Sequence, residues 1–279
     1  MRLKRWMAAL VLCLACASGF ARVGSDSEPA STAERIRSGA DGHRLVLLGE
    51  THGTRETPDL IAILMAAYAI DGPVLLGLEI PRSEHAALSQ YLRSDGGDAA
   101  RAALRTTPFW TVIDDHHDGR RSEDMLDLIE ASRVLRSDGR DVAILPYDVE
   151  RSFHRFSGDA RDEAMAGRVR AAYAALSRGR LLVLGGNVHA MLQKPVLAPA
   201  QMPVPMGARL RDLGPYAVRI DARSGQWWGC MDGHCGPHPI IDNTMGDGAS
   251  TGMFEQSYHL QVMLPRFTVA RLLGTTSPR

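Results

Sequence analysis

The chain has 279 residues, of which 45% are apolar, and its 32 Lys and Arg balance its 32 Asp and Glu. This length and apolar content suffice for the core of one α/β domain, which we expect over residues 22–279. The balanced charge creates no overall field that would attract nucleic acid or anionic lipid, so the composition favours a small-molecule or peptide ligand.

The N-terminus has the features of a secretory signal peptide. A basic start leads into the apolar stretch 7–17, and small residues follow it. We predict that residues 1–21 are a cleaved leader, with cleavage after Ala17 or Ala21, because the stretch is too short to span a bilayer comfortably. The mature protein is then periplasmic or secreted and has no transmembrane span. A lipid anchor at Cys16 is less favoured, since Cys13 stands where such signals usually carry Leu.

The first predicted unit of the mature chain is a strand, a helix and a second strand. Residues 45–48 form a continuous apolar run that indicates a buried strand, and Thr57-Pro-Asp59 is typical of a helix start. We expect the helix over 60–70 and a second buried strand over 73–79. In such a unit the strands are parallel, so the residues that follow both strands emerge at one edge of the sheet, where ligands of open α/β sheets bind.

Further helices and strands alternate along the chain. Helices are predicted over 83–92, 98–105, 161–176 and 206–213, and a further helix is predicted to follow a cap at Ser122. Strands are predicted over 142–145, 181–184 and 216–220, with an added edge strand over 258–264. Residues 109–121 and 194–207 are expected to be loops that set ligand selectivity. The stretch 236–252 has no periodicity, so we expect an irregular C-terminal extension.

Removal of the leader leaves Cys230 and Cys235 as a pair around a tight turn. In an oxidising compartment such a pair forms a disulfide, and we predict one here that holds a surface loop. A metal site that combines the two thiols with His234 and His238 is the alternative. It is less favoured, since a secreted thiol pair more often oxidises.

Polar residues follow four predicted strands in turn. They are Glu50, His52, Arg55 and Glu56 after the first, Glu79 and Arg82 after the second, Asp148 after the third, and Asn187 and His189 after the fourth. One histidine after a strand is more often structural than catalytic, but the repetition at four strand ends favours a shared site. Arg161 is a further candidate, because an arginine at a helix start does not serve the helix dipole.

Two kinds of chemistry suit histidines among carboxylates. A neutral His can take a proton from water while a carboxylate fixes its tautomer, or the same residues can bind a divalent metal that acidifies a water. The spacing of Glu50 and His52 does not decide between them. The sequence has no His-Glu-x-x-His motif, no nucleophile elbow, no phosphate-binding loop and no dinucleotide fingerprint. Serine hydrolases and nucleotide-dependent enzymes are therefore disfavoured.

Four segments together resemble a known family. Leu47-Leu-Gly-Glu-Thr-His-Gly-Thr54, Leu78-Glu-Ile-Pro81, Arg161-Asp-Glu-Ala-Met-Ala166 and Gly186-Asn-Val-His-Ala190 are similar to the signatures of the erythromycin esterase/ChaN-like superfamily, which includes the Tiki-type proteases. The resemblance spans residues 44–190. It implies an α/β fold with a mostly parallel central sheet flanked by helices and a site at the strand ends.

The branches of this superfamily imply different functions. The esterase branch implies that His52 activates water, with Glu50 and Glu79 in the same pocket and His189 opposite. The Tiki branch implies a metal at a Gly-x-x-His motif, here ending at His52, with Glu50 and His189 as further ligands. The ChaN branch implies haem binding in iron uptake, with Tyr147, Tyr173 or a His as iron ligand.

Our leading prediction is a hydrolase of ester, lactone or peptide bonds, and the alternative is a haem- or metal-binding protein without turnover. The residues predicted to contact substrate are Arg55, Glu56, Arg82, Asp148, Arg161 and Asn187.

Overall fold

The computed structural model describes residues 28–111, 117–150, 158–231, 234–241, 248 and 256–273. The predicted leader and Cys16 lie outside the described residues. Within these ranges, no helix combines the length and the apolar character that crossing a bilayer requires.

The described elements alternate between helix and strand for most of the chain. The helices are α1 (Glu28–Gly39), α2 (Glu56–Asp71), α3 (His85–Tyr91), α4 (Asp98–Arg105), α5 (Glu123–Ser137), α6 (Gly158–Ala175), α7 (Asn187–Ala190) and α8 (Met206–Arg209), with 3-10 turns at Arg82–Glu84 and Arg211–Leu213. The strands are β1 (Leu45–Glu50), β2 (Val74–Pro81), β3 (Val142–Asp148), β4 (Arg180–Gly186), β5 (Tyr216–Met231), β6 (His234–Pro239) and β7 (Leu260–Phe267).

A mostly parallel sheet in the order β3-β2-β4-β1-β5 forms the centre of the molecule. All neighbours in this order pair in parallel, and β7 also pairs in parallel with the first part of β5. The last part of β5, residues 226–231, pairs in antiparallel orientation with β6. The predicted α/β class with a mostly parallel sheet is confirmed, while the single domain over 22–279 stays a prediction.

Both faces of the sheet are buried, which explains why its strands are continuous apolar runs. Along β1, Val46 and Leu48 point to the face covered by α2 and α5, whereas Leu45 and Leu47 point to the face covered by α6. These four side chains are completely buried. Burial of each contributes about 1.5–3 kcal/mol, so the strand ends lie on a stable apolar core.

Two helix starts differ from the sequence-based expectation. Helix α2 begins at Glu56 with Arg55 at its N-cap, because Thr57 is buried and its hydroxyl accepts a 3.1 Å hydrogen bond from Thr54. The predicted helix 83–92 is split, since Glu84 ends the 3-10 turn as a buried side chain that accepts from the backbone N–H of Phe109. The prediction for α4 is confirmed to the residue, and Ser122 caps α5 by accepting from the Met125 N–H as predicted.

The C-terminal region is more regular than the sequence suggested. The strand predicted over 216–220 extends to Met231, and β6 occupies part of the stretch 236–252 that was expected to be irregular. Residues 242–247 and 249–252 of that stretch lie outside the described ranges. Cys230 and Cys235 face each other across β5 and β6 and form the predicted disulfide. The disulfide therefore joins two strands, and we call residues 226–231 and 234–241 with this bond the hairpin.

Candidate active site

The carboxyl ends of four parallel strands meet at one edge of the sheet. Glu50 ends β1 and pairs in register with Gly186 at the end of β4, while Glu79 lies near the end of β2 and Asp148 ends β3. Helix α7 begins directly after β4 and carries His189. The sheet thus assembles residues that are up to 139 positions apart in sequence, from Glu50 to His189, as the strand-end pattern predicted.

His52 lies between two glutamates. Its Nδ1 is 2.9 Å from Oε1 of Glu50, and its Nε2 is 3.6 Å from Oε2 of Glu79. Both glutamate side chains are 5% exposed, whereas the imidazole is 21% exposed. His52 is therefore held by buried carboxylates and still open to the solvent side.

The two carboxylates set the charge state of the imidazole. Burial disfavours the imidazolium, but the negative charges of Glu79 and Glu50 outweigh this and raise the pKa of His52 to about 10. Burial also disfavours ionised Glu79, yet the positive charges of His52 and Arg161 hold the pKa of that carboxyl well below its usual range. At neutral pH the site therefore contains an imidazolium beside a carboxylate.

Two arginines neutralise the other side of Glu79. Arg161 donates to Oε1 of Glu79 at 2.6 Å and, through two of its nitrogens, to both oxygens of Asp148 at 2.9 Å. Arg120 donates to Asp148 at 2.8 Å, to the Glu79 side chain at 3.2 Å, and to Asp118 at 2.6 Å. Such fork-shaped donors fix carboxylates in both position and orientation. Arg161 and Asp148, both predicted to contact substrate, thus lie in the ion-pair network around Glu79, and their contact with substrate stays a prediction.

The proton position of His189 follows from its neighbours. Arg161 Nη1 lies 2.7 Å from Nε2 of His189, and because a guanidinium can only donate, this ring nitrogen accepts. The proton of the neutral ring is then on Nδ1, which lies 2.8 Å from Oδ1 of the buried Asp162. Both ring nitrogens are engaged, so His189 orients Arg161 and is poorly placed to take a proton from water.

A cavity of about 730 Å³ opens above these residues. Its floor includes Glu50, His52, Asp118, Asn187 and His189, and its opposite wall is the hairpin, represented by Trp227, Cys230, Met231, His238 and Ile241. The site thus combines a charged floor with a largely apolar wall.

Three residues predicted to contact substrate lie elsewhere. Arg55 donates to the carbonyl oxygen of Val269, and the carboxylate of Glu56 accepts from the N–H of Thr268. Arg82 is exposed and borders a separate groove. None of the three lines the cavity in the described part of the chain.

Sequence reasoning did not assign Arg120 and Asp162 to the site. Arg120 belongs to a highly charged stretch that is typical of a solvent-exposed loop. Asp162 lies within a predicted helix, where a charged residue is common. The signal that identifies Arg120 is a contact with residues 28 and 41 positions away, which no local motif encodes.

The side chains predicted as metal ligands are engaged in ion pairs and hydrogen bonds, and their arrangement does not fit a metal ion. Among the described residues, no group of three or more His, Cys, Asp or Glu side chains is placed to hold one. The predicted ligands Glu50 and His52 bind each other, and Nε2 of His189 faces a guanidinium. A bound cation would also be repelled by Arg161 and Arg120.

The tyrosines expected to ligate haem iron do not fit either. Tyr147 is buried and donates to the carbonyl oxygen of Leu184, and the ring of Tyr173 packs against Arg44. Neither residue borders the cavity.

Comparison with known proteins supports the fold. No protein-family model and no curated protein matches the sequence. Among solved structures, a mutant of the erythromycin esterase EreC in its open conformation is similar, with a TM-score of 0.60 at 13% identity over 87% of this chain and 95% of that one. A Bacillus cereus protein has a TM-score of 0.60 at 11% identity over 89% and 94% of the two chains. A succinoglycan biosynthesis protein has a TM-score of 0.56 at 10% identity over 88% and 93%.

At these identities the likeness establishes a fold and not a reaction. The α/β fold with a mostly parallel central sheet that the motifs implied is confirmed, and the erythromycin esterase structure is similar to it.

Proposed function

We propose that this protein hydrolyses an ester, lactone or peptide bond with a water activated by His52. The observation that carries the proposal is the position of this imidazole, with Nδ1 on Glu50 and Nε2 at the floor of the cavity beside Glu79. A carboxylate on Nδ1 orients the ring and stabilises the imidazolium that forms when Nε2 accepts a proton. The esterase among the solved structures of the same fold supports the assignment by analogy.

The proposed step begins with neutral His52. Nε2 takes one proton from water, the resulting hydroxide attacks the carbonyl carbon of the substrate, and the imidazolium later returns the proton to the leaving oxygen or nitrogen. Glu50 and Glu79 stabilise the imidazolium throughout. Asn187 lines the cavity, and its uncharged amide can donate a hydrogen bond to the carbonyl group.

The remaining charged residues keep Glu79 in place. Arg161 and Arg120 share Glu79 and Asp148, and Gly186 donates its N–H to Oε2 of Glu79 at 2.7 Å. His189 and Asp162 in turn hold Arg161. These residues therefore fix the carboxylate that sets the basicity of His52, and they need not contact the reacting atoms.

The test is a panel of esters, lactones and peptides offered to the purified protein and to His52→Ala. His85→Ala is the matched control, because His85 is exposed on α3 and borders the separate groove. We expect turnover in the wild type and in the control and a loss of at least about 100-fold in His52→Ala, the usual range for a general base. Equal activity in all three proteins refutes the proposal.

The same samples distinguish a hydrolase from the alternative, a haem- or metal-binding protein without turnover. Turnover that survives a chelator supports direct base catalysis, whereas chelator-sensitive turnover requires a metal. A Soret band on titration with haem, in a protein without turnover, supports the haem-binding alternative.

We also propose that the mature protein is periplasmic or secreted. The Cys230–Cys235 disulfide is consistent with an oxidising compartment. Mass spectrometry of the secreted chain tests this, since loss of residues 1–17 or 1–21 is expected.

A further inference from the structure

The hairpin contacts the backbone of both loops that carry site residues. Trp228 donates its backbone N–H to the carbonyl of Gly53, the residue after His52, at 3.0 Å. Its indole N–H donates to the carbonyl of His117, the residue before Asp118, at 2.7 Å. One side chain and its own backbone thus join the His52 loop to the loop of Asp118 and Arg120.

The three segments approach each other as closely as glycine allows. Gly53 and Gly119 have φ values of +72° and +88°. A Cβ on Gly53 would lie 2.2 Å from the carbonyl oxygen of Trp228, and a Cβ on Gly119 would lie 2.6 Å from the Cα of Gly53. Any movement of the hairpin therefore changes the positions of both loops.

The hairpin has little intrinsic stability. At its far end β5 pairs with β6 alone, and β6 contains Pro237 and Pro239, which cannot donate to a ladder. An isolated two-stranded hairpin is marginally stable at best. The covalent link in this region is the disulfide, and Cys230 is exposed, so a small reductant can reach it.

We propose that Trp228 is a positioning residue for His52 and Arg120, and that the Cys230–Cys235 disulfide keeps it in place, so the site is assembled only in the oxidised protein. Reduction of this disulfide by a dithiol is expected to release Trp228 and to disassemble the site. The dithiol forms its own disulfide, and its two electrons and two protons convert the Cys230–Cys235 bond into two thiols.

The proposal rests on the proposed function only for its catalytic readout. The primary readouts are two NMR measurements that need no substrate: exchange of the Trp228 indole proton with solvent, and titration of the ring nitrogens of His52. They are made on oxidised, dithiol-reduced and reoxidised protein. A protein that hydrolyses nothing is still informative, so failure of the proposed function is distinguishable from failure of this inference.

Reduction is expected to speed exchange of the Trp228 indole proton by at least about tenfold and to lower the pKa of His52 toward 6.5 by at least about one unit, as its carboxylate neighbours loosen. Reoxidation should restore both. If a hydrolytic activity is found, kcat falls in parallel. Unchanged exchange and titration after reduction overturn the proposal.

Two sets of variants separate the disulfide from general damage. Cys230→Ser/Cys235→Ser should resemble the reduced protein and show no further response to dithiol. A response of the same size in this variant would show that the effect of dithiol does not depend on this disulfide and would contradict the proposal.

Trp228→Phe keeps the backbone bond but removes the indole N–H, and the pKa of His52 is expected to fall as in the reduced protein. Trp110→Phe is the matched control, because the indole N–H of Trp110 is buried without a hydrogen-bond partner among the described residues. Equal His52 titration in the two variants refutes the role of Trp228.

Discussion

Replacement of Glu79 by Gln should lower the pKa of His52 by two to three units, to about 7–8. Two unit charges 3.6 Å apart, the distance from Nε2 of His52 to Oε2 of Glu79, interact with about 4–5 kcal/mol at an effective dielectric constant of about 20. This energy corresponds to about three pKa units, and the 21% exposure of the imidazole reduces it somewhat. Glu50 remains on Nδ1, so the pKa stays above 6.5.

The assay is an NMR titration of the His52 ring nitrogens in wild type and Glu79→Gln between pH 5 and 11. Asp212→Asn is the control, since Asp212 is an exposed carboxylate paired with Arg170 on the surface, and its loss should leave His52 unchanged. Thermal unfolding of each variant verifies that it is folded. A wild-type pKa near 6.5, or a change below one unit in Glu79→Gln, would refute the electrostatic reasoning.

Three further outcomes are expected. Because only neutral His52 accepts a proton, kcat/KM should rise about tenfold per pH unit from pH 7 and level off near 10; a flat pH–rate profile contradicts His52 as the base. Because folding raises the pKa of His52 from 6.5 to about 10, its stabilisation is complete below pH 6.5 and is lost as the pH rises to 10; urea unfolding of wild type and His52→Gln should differ by about 3–5 kcal/mol more at pH 6 than at pH 10.5. Gly53→Ala should cost at least about 3 kcal/mol, since its Cβ would clash with Trp228, whereas Gly42→Ala, with φ +80° and open space, should cost about 1 kcal/mol; equal urea midpoints would show that the contact is not tight.

The strands were predictable from the sequence because both faces of the sheet are buried. Runs such as 45–48 and 181–184 are apolar without interruption, and this pattern needs no knowledge of their neighbours. Parallel pairing then brings Glu50, Glu79 and Asp148 to one edge, so half of the site followed from local patterns and one rule of sheet geometry.

The rest of the site depends on contacts between distant segments. Arg120 pairs with Glu79 and Asp148 only because its loop folds over the strand ends. Arg55 and Glu56 are charged and follow a strand, as residues of the site do, but they bind the backbone of the C-terminal segment. Charge and position after a strand are the same for residues that enter the site and for residues that do not, so the sequence does not distinguish the two groups.

The long strand β5 was underestimated for a similar reason. Residues beyond Ile220 include charged, glycine and tryptophan positions without clear alternation, and their extended conformation depends on β7 and on β6. The disulfide was predictable from cysteine spacing, whereas its place on the wall of the cavity was not.

The contacts of Gly53, Arg55 and Glu56 with residues 268–270 determine when the site can form. Ala270 donates its backbone N–H to the carbonyl of Gly53. Arg55 donates to the carbonyl of Val269, and the N–H of Thr268 donates to the carboxylate of Glu56. These contacts join residues more than 210 positions apart in sequence. Closing a loop of this length carries an entropic cost, so we expect these contacts to form after local ones. Because residues 268–270 must be present before they can hold the His52 loop, we expect a nascent or C-terminally shortened chain to lack an assembled site.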